Sequence, residues 1–181
     1  MVTLLVCCNK KPTAIIPKPT AIIPIDSNDI ITFKSQLIES DDSVPYYQCD
    51  EYVPFTIKLT SNNVDRLYRG FFKCSIKPII NEYDSTLVDT IYTYSNQKNE
   101  IKIYKAKHGD FLFLYDVTDT IFELNGNIKL RMTKERFARK FNIVGLTMDI
   151  VDIGNLEQTS IIRFFFKNDM LYRINYEPYF E

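Results

Sequence analysis

From Ile30 onward the apolar residues come in short runs separated by polar turns, a pattern that favours strands joined by tight connections. With 13 Phe and 12 Tyr against only 5 Gly, the composition leans the same way, because aromatic and β-branched side chains suit half-buried sheet positions. The clearest local unit is C-terminal. Asn125-Gly126-Asn127 reads as a turn, Ile128-Lys129-Leu130 as a short strand and Thr133 as an N-cap. On the helix that follows, Phe137 and Phe141 are four apart and share a face with Ala138 beside them. Arg131, Lys134, Arg136, Arg139 and Lys140 then make a cationic face, read as solvated.

Three strands are expected after this helix, over 146–153, 161–166 and 170–176, with Lys167-Asn168-Asp169 as a hairpin turn. The alternation of Phe164 and Phe166 against Phe165 buries one parity on the helix and leaves the other as a wetter aromatic face. A fainter copy lies upstream, where Thr60, Val64 and Tyr68 echo Thr133, Phe137 and Phe141 and the runs 87–94, 101–104 and 111–117 follow. The expected fold class is therefore α+β, an antiparallel sheet with helices packed on one face. One domain over 30–181 is expected, divisible into tandem helix-plus-three-strand units over 57–117 and 127–178.

Charge and chemistry narrow the function by exclusion. With 22 basic against 23 acidic residues there is no general field to draw nucleic acid to the chain. A single His108 and the lack of any C-x-x-C spacing argue against a metal site, and no glycine-rich phosphate loop or nucleophile motif suggests a cofactor or an enzyme. His108 stands before Gly109-Asp110 in a turn, a solvated position. Asp41-Asp42 and Asp50-Glu51 fall in polar connections, and nothing beside Asp149 and Asp152 completes an oxygen cage. Cys49 and Cys74 have two readings. They are buried free thiols, or in an oxidising compartment they close a disulfide loop of about 24 residues that stabilises by roughly 3 kcal/mol.

The N-terminus has a different character. Met1-Val2-Thr3-Leu4-Leu5-Val6-Cys7-Cys8 is a short apolar run ending in cysteine, followed at once by Asn9-Lys10-Lys11, and it reads as the tail of a signal peptide over 1–8. Next comes a perfect duplication, Lys11-Pro12-Thr13-Ala14-Ile15-Ile16-Pro17 then Lys18-Pro19-Thr20-Ala21-Ile22-Ile23-Pro24. This proline density disfavours helix and sheet, so 9–29 reads as an extended tether reaching roughly 40 Å.

Leu4-Leu5-Val6-Cys7-Cys8-Asn9-Lys10-Lys11 resembles the lipobox of bacterial lipoproteins of the Bacteroidetes type. That resemblance implies lipid attachment at Cys8, with Cys7 as the alternative, and a membrane anchor made of acyl chains. It also implies a place in the bacterial cell envelope, outer-membrane-anchored or periplasmic. The segment from Asn127 to Phe137, together with Phe165-Phe166-Lys167-Asn168-Asp169-Met170-Leu171-Tyr172-Arg173-Ile174, resembles the SmpA/OmlA-like lipoprotein superfamily, which includes tandem β-lactamase inhibitor proteins. Arg131 and Asp169 stand where the superfamily pattern usually has glycine. The resemblance implies a binding or scaffold role toward another protein and no catalytic residue. An alternative from a different class is an inhibitor or immunity protein that blocks an enzyme with an aromatic sheet face drawn from Tyr92, Tyr94, Tyr104, Tyr172 and Tyr176.

Overall fold

The structure is a computed structural model that describes residues 32–38, 44–55 and 58–178. Cys7, Cys8, the signal-peptide reading of 1–8 and the tether reading of 9–29 lie outside the described residues. In chain order the elements are β1 (Gln36–Ile38), β2 (Tyr46–Gln48), α1 (Ser61–Leu67), β3 (Lys73–Ile80), β4 (Val88–Ser95), β5 (Glu100–Ala106) and β6 (Gly109–Val117). They continue with β7 (Glu123–Leu124), β8 (Ile128–Lys129), α2 (Lys134–Lys140), β9 (Ile150–Gly154), β10 (Ile161–Lys167) and β11 (Met170–Tyr176).

Nine strands form one mixed sheet in the order β1-β2-β9-β10-β11-β6-β5-β4-β3, while β7 and β8 make a separate small ribbon. Every neighbour in the large sheet is antiparallel except β2 and β9, which run parallel through Tyr46↔Asp152, Tyr47↔Ile153 and Gln48↔Gly154. Two meanders, β3 to β6 and β9 to β11, meet where β6 pairs with β11 through Tyr115↔Tyr176, Asp116↔Asn175 and Val117↔Ile174. Arg173 reinforces this seam by donating two hydrogen bonds to the Asp116 carboxylate, both 2.7 Å.

The expected α+β class, with an antiparallel sheet under helices, does not hold. Among the described residues strand far outweighs helix, the sheet is mixed, and the two helices have seven residues each, about two turns. The first of the expected tandem units, over 57–117, also holds a fourth strand, β3, beyond the three read in it. Local chemistry explains why the helices stop so soon. After α2 the backbone turns left-handed at Asn142 (φ 51°), and Asn142 N–H and Ile143 N–H bond back to Arg139 O and Ala138 O. That pair of bonds closes a Schellman cap, which ends a helix at its second turn as firmly as proline would begin a break. Beyond α1, Gly70 (φ 77°) reverses the chain into β3.

The core lies on one face of the sheet, where Tyr94, Ile101, Tyr115, Ile162, Phe164 and Ile174 are buried. Its cover is pieced together from α1, the β7–β8 ribbon with Phe122, α2 and the stretch around Cys49 and Tyr52. Phe137 is buried with its ring 4.7 Å from Phe164 and 5.1 Å from Phe166, and Phe141 packs on both Phe137 and Phe164. Phe165 takes the opposite face, under the Arg173 guanidinium at 4.9 Å. The helix face read as solvated is partly inside. Lys134 and Lys140 are buried, and the Lys134 ammonium lies 2.7 Å from Asp149 and 3.4 Å from Asp169.

A candidate docking edge on β3

Among the described residues β3 is the last strand of the sheet, so one side of its backbone pairs with β4 and the other pairs with no strand. Asn81 N–H donates to Leu87 O at 3.0 Å, which makes Asn81 and Leu87 a hydrogen-bonded pair. Bonded and non-bonded pairs alternate along an antiparallel ladder. Lys73, Ser75, Lys77 and Ile79 therefore bond to β4, and the backbones of Cys74, Ile76, Pro78 and Ile80 face the free edge. The Asn96 N–H to Asn99 O bond at the β4–β5 turn fixes the same parity from the other side of β4. Pro78 falls on the outward set, the one place in a strand where a missing N–H removes no ladder bond. Among the described residues nothing pairs with this edge.

The side chains sort by the same parity. Cys74 and Ile76 lie opposite Tyr94 and Tyr92, on the core face. The core cover ends near Tyr94, and past it Ile76 is 61% exposed, Ile80 70% and Val88 66%. These residues form an uncovered apolar stripe. Lys73 and Lys77 project from the other face, exposed and without an ion-pair partner among the described residues. At the head of the stripe lies a cavity of about 330 Å³ between the end of α1, with Asp65, Tyr68 and Arg69, and Phe72, Cys74 and Tyr94. Its volume is near the lower limit for a pocket that accepts a small ligand or one large side chain.

Two side chains of the cavity, Tyr94 and Cys74, are held toward their protonated forms. Burial, with the Asp65 carboxylate adding to it, raises the Tyr94 phenol, whose hydroxyl donates to Ser61 O at 3.0 Å. Burial and Asp65 also raise the Cys74 thiol, outweighing the opposing hydrogen bond with Tyr94. A nucleophilic cysteine needs the reverse, an environment that favours the thiolate. Cys74 here is an apolar wall.

The residues singled out from sequence are dispersed. Cys49 is buried beside β2 and pushed up to about 11, first by burial, while Cys74 is exposed on the opposite edge strand. Both are free thiols, and the disulfide reading fails because the sheet order puts β2 and β3 near its two ends. Tyr92 and Tyr94 stack at 6.4 Å on the core face, with Tyr94 only 2% exposed, and Tyr176 packs on Phe55 on that face too. Tyr104 and Tyr172 take the other face, Tyr104 bonded to Asp89 and Tyr172 set beside Phe165. The five tyrosines therefore share no single surface.

His108 is exposed in the β5–β6 turn, Asp149 holds Lys134, and Asp152 takes two bonds of 2.7 Å from Arg163. Among the described residues no cluster of three or more His, Cys, Asp or Glu is placed to hold a metal, and no helix is long and apolar enough to cross a membrane. What sequence reasoning missed is β3 itself. Its signal was present as the period-two pattern Cys74, Ile76, Pro78, Ile80 against Lys73, Ser75, Lys77, which Ile79 interrupts. Comparison of the chain with family models, with curated proteins and with solved structures finds no match.

Proposed function

We propose that this protein is an envelope-anchored lipoprotein, lipidated at Cys8 or alternatively Cys7, that serves as a binding or scaffold module for another protein. The observation that carries the binding role is the edge of β3 that no described residue pairs, beside the exposed stripe of Ile76, Ile80 and Val88. Exposed long edges invite pairing with another chain, and contiguous exposed apolar surface marks interaction sites. The anchoring role is supported by the Leu4 to Lys11 pattern, in which an apolar run meets cysteine and then a polar, basic stretch.

Two measurements test these two roles separately. Radiolabelled palmitate supplied to the native host is expected to enter the full chain and to be lost in Cys8→Ser, with Cys7→Ser checking the alternative. Equal labelling of both variants and the parent, or none of the parent, removes the anchor. For binding, a photo-crosslinking amino acid at Ile76 is expected to trap a discrete protein adduct in the host. The same group at Val144, which is 94% exposed on another part of the molecule, is expected to trap none. Adducts at both positions, or at neither, remove the role of this edge.

A further inference from the structure

We infer that the free edge of β3 accepts an extended segment of another protein whose residues alternate between acidic and apolar, adding one strand to the sheet. This deepens the binding role proposed above and rests on it. The backbone sets the mode. Cys74, Ile76 and Ile80 offer N–H groups outward, and Cys74, Ile76, Pro78 and Ile80 offer carbonyls, so a guest strand finds ladder partners along the edge. The guest meets no donor at Pro78, which helps to fix its register.

The side chains set the composition. An added strand carries its own side chains alternately to the two faces of the sheet. On the core face its residues would lie beside Cys74, Ile76 and Ile80, and the one next to Cys74 would reach the cavity that Tyr68, Phe72 and Tyr94 line. Those positions call for apolar side chains, one of them large. On the opposite face its residues would lie beside Lys73, Ser75, Lys77 and Ile79, and the two positions that matter are those beside the lysines, which have no ion-pair partner among the described residues. Those positions call for Asp or Glu, since opposite charges across strands stabilise and like charges destabilise.

The same lysines argue against a second copy of this chain as the occupant. Antiparallel pairing of β3 with itself would bring two further lysines to one face and two prolines to one edge. Lysine and proline on edge strands are how sheets discourage such self-pairing. An acidic guest turns the repulsive element into an attractive one, so the edge discriminates by charge.

The test uses the full chain and two labelled peptides of eight residues, the length of β3, one alternating Glu with Val and the other Lys with Val. The Glu peptide is expected to bind about tenfold tighter than the Lys peptide, the scale of two cross-strand charge pairs. The double variant Lys73→Glu, Lys77→Glu, at exposed positions that leave the core untouched, is expected to reverse that preference. Residue-resolved amide exchange is expected to show new protection at Cys74 and Ile76 and none at Lys73 and Lys77, which already bond to β4. Equal binding of the two peptides, no binding, an unchanged preference in the double variant, or protection confined to other strands overturns the inference. So does sedimentation of the chain alone as a dimer that the double variant abolishes. If the peptides fail while the crosslink at Ile76 persists, only this inference falls. Loss of both removes the binding role of the edge as well.

Discussion

Arg131 carries a φ of 69° and Asp169 a φ of 58°, the left-handed region that glycine occupies without strain. Asn127, Asn142, Gln158 and Asn168 share that region, and of these six residues Arg131 is the one that is neither Asn, Asp nor Gln, so its backbone bears the larger strain. Arg131 is exposed, and its contribution at this point is its N–H, which donates to Leu171 O at 2.7 Å. Arg131→Gly keeps that bond and relieves the strain, and a gain of ~1 kcal/mol in urea unfolding is expected. A loss of stability would show that the arginine side chain contributes more than its backbone costs. Buried hydroxyls set a second expectation. Burial raises Tyr46 and Tyr68 to about 12 and holds Tyr52 and Tyr115 well above the ordinary phenol value. A folded state that keeps a phenol protonated loses stability once the unfolded chain can ionise it. The contribution is therefore complete below about pH 10 and is lost as pH rises from there through the folded values. Cys49, raised to about 11, begins the same loss near the ordinary thiol value of 9.0. Urea midpoints are expected to fall steeply between about pH 10 and pH 12, and an unchanged midpoint over that range would contradict the burial of these rings. At this scale much was legible. Thr133, Phe137 and Phe141 were found because capping and i,i+4 spacing are local rules, whereas the inward turn of Lys134 depends on Asp149, which only the fold brings near.

Among the elements, α2 and β3 show what local pattern can and cannot reveal. Thr133 Oγ accepts the Arg136 N–H at 3.2 Å, and the stripe behind it meets Phe164 and Phe166 with Phe165 turned away, the parity that alternation requires. Phe137 is completely buried among rings, so Phe137→Ala is expected to cost ~3–5 kcal/mol, measured by chemical denaturation. A cost below about 1 kcal/mol, the scale of a surface substitution, would show that α2 does not close the core. β3 escaped because Pro78 demotes a run of residues as a strand, and the exception for edges requires knowing the sheet order first. β1 and β2, at three residues each, are too short for any periodicity to show. The costliest error was the expected cover of helices on one face of an antiparallel sheet, which two seven-residue helices on a mixed sheet do not make. Caps were visible at the start of α2, but its end depends on Asn142 adopting a left-handed backbone, and asparagine does so only in context.

For the molecule as a whole, the seam between β6 and β11 decides whether two meanders behave as one sheet. Only three residue pairs span it, so the bidentate Arg173–Asp116 contact carries an unusual share of its cohesion. Asp116 is also the first cause that raises the Arg173 guanidinium above its ordinary value. A double-mutant cycle with Arg173→Ala and Asp116→Ala is expected to give a coupling of ~1 kcal/mol, since both groups are partly exposed and screened. Zero coupling would mean that the backbone ladder alone joins the halves. The near balance of acidic and basic residues was readable from composition, but the sheet order was not, because β6–β11 and β2–β9 join strands distant in sequence. The parallel pairing has a temporal consequence. Asp50 caps Leu156 N–H across 106 residues, and β2 has no partner on that side until β9 exists. A ribosome delivers β1 and β2 first, yet they wait for nearly the whole chain to emerge before they can settle. The first strands made are thus held open until the chain has been made as far as Gly154, the end of β9.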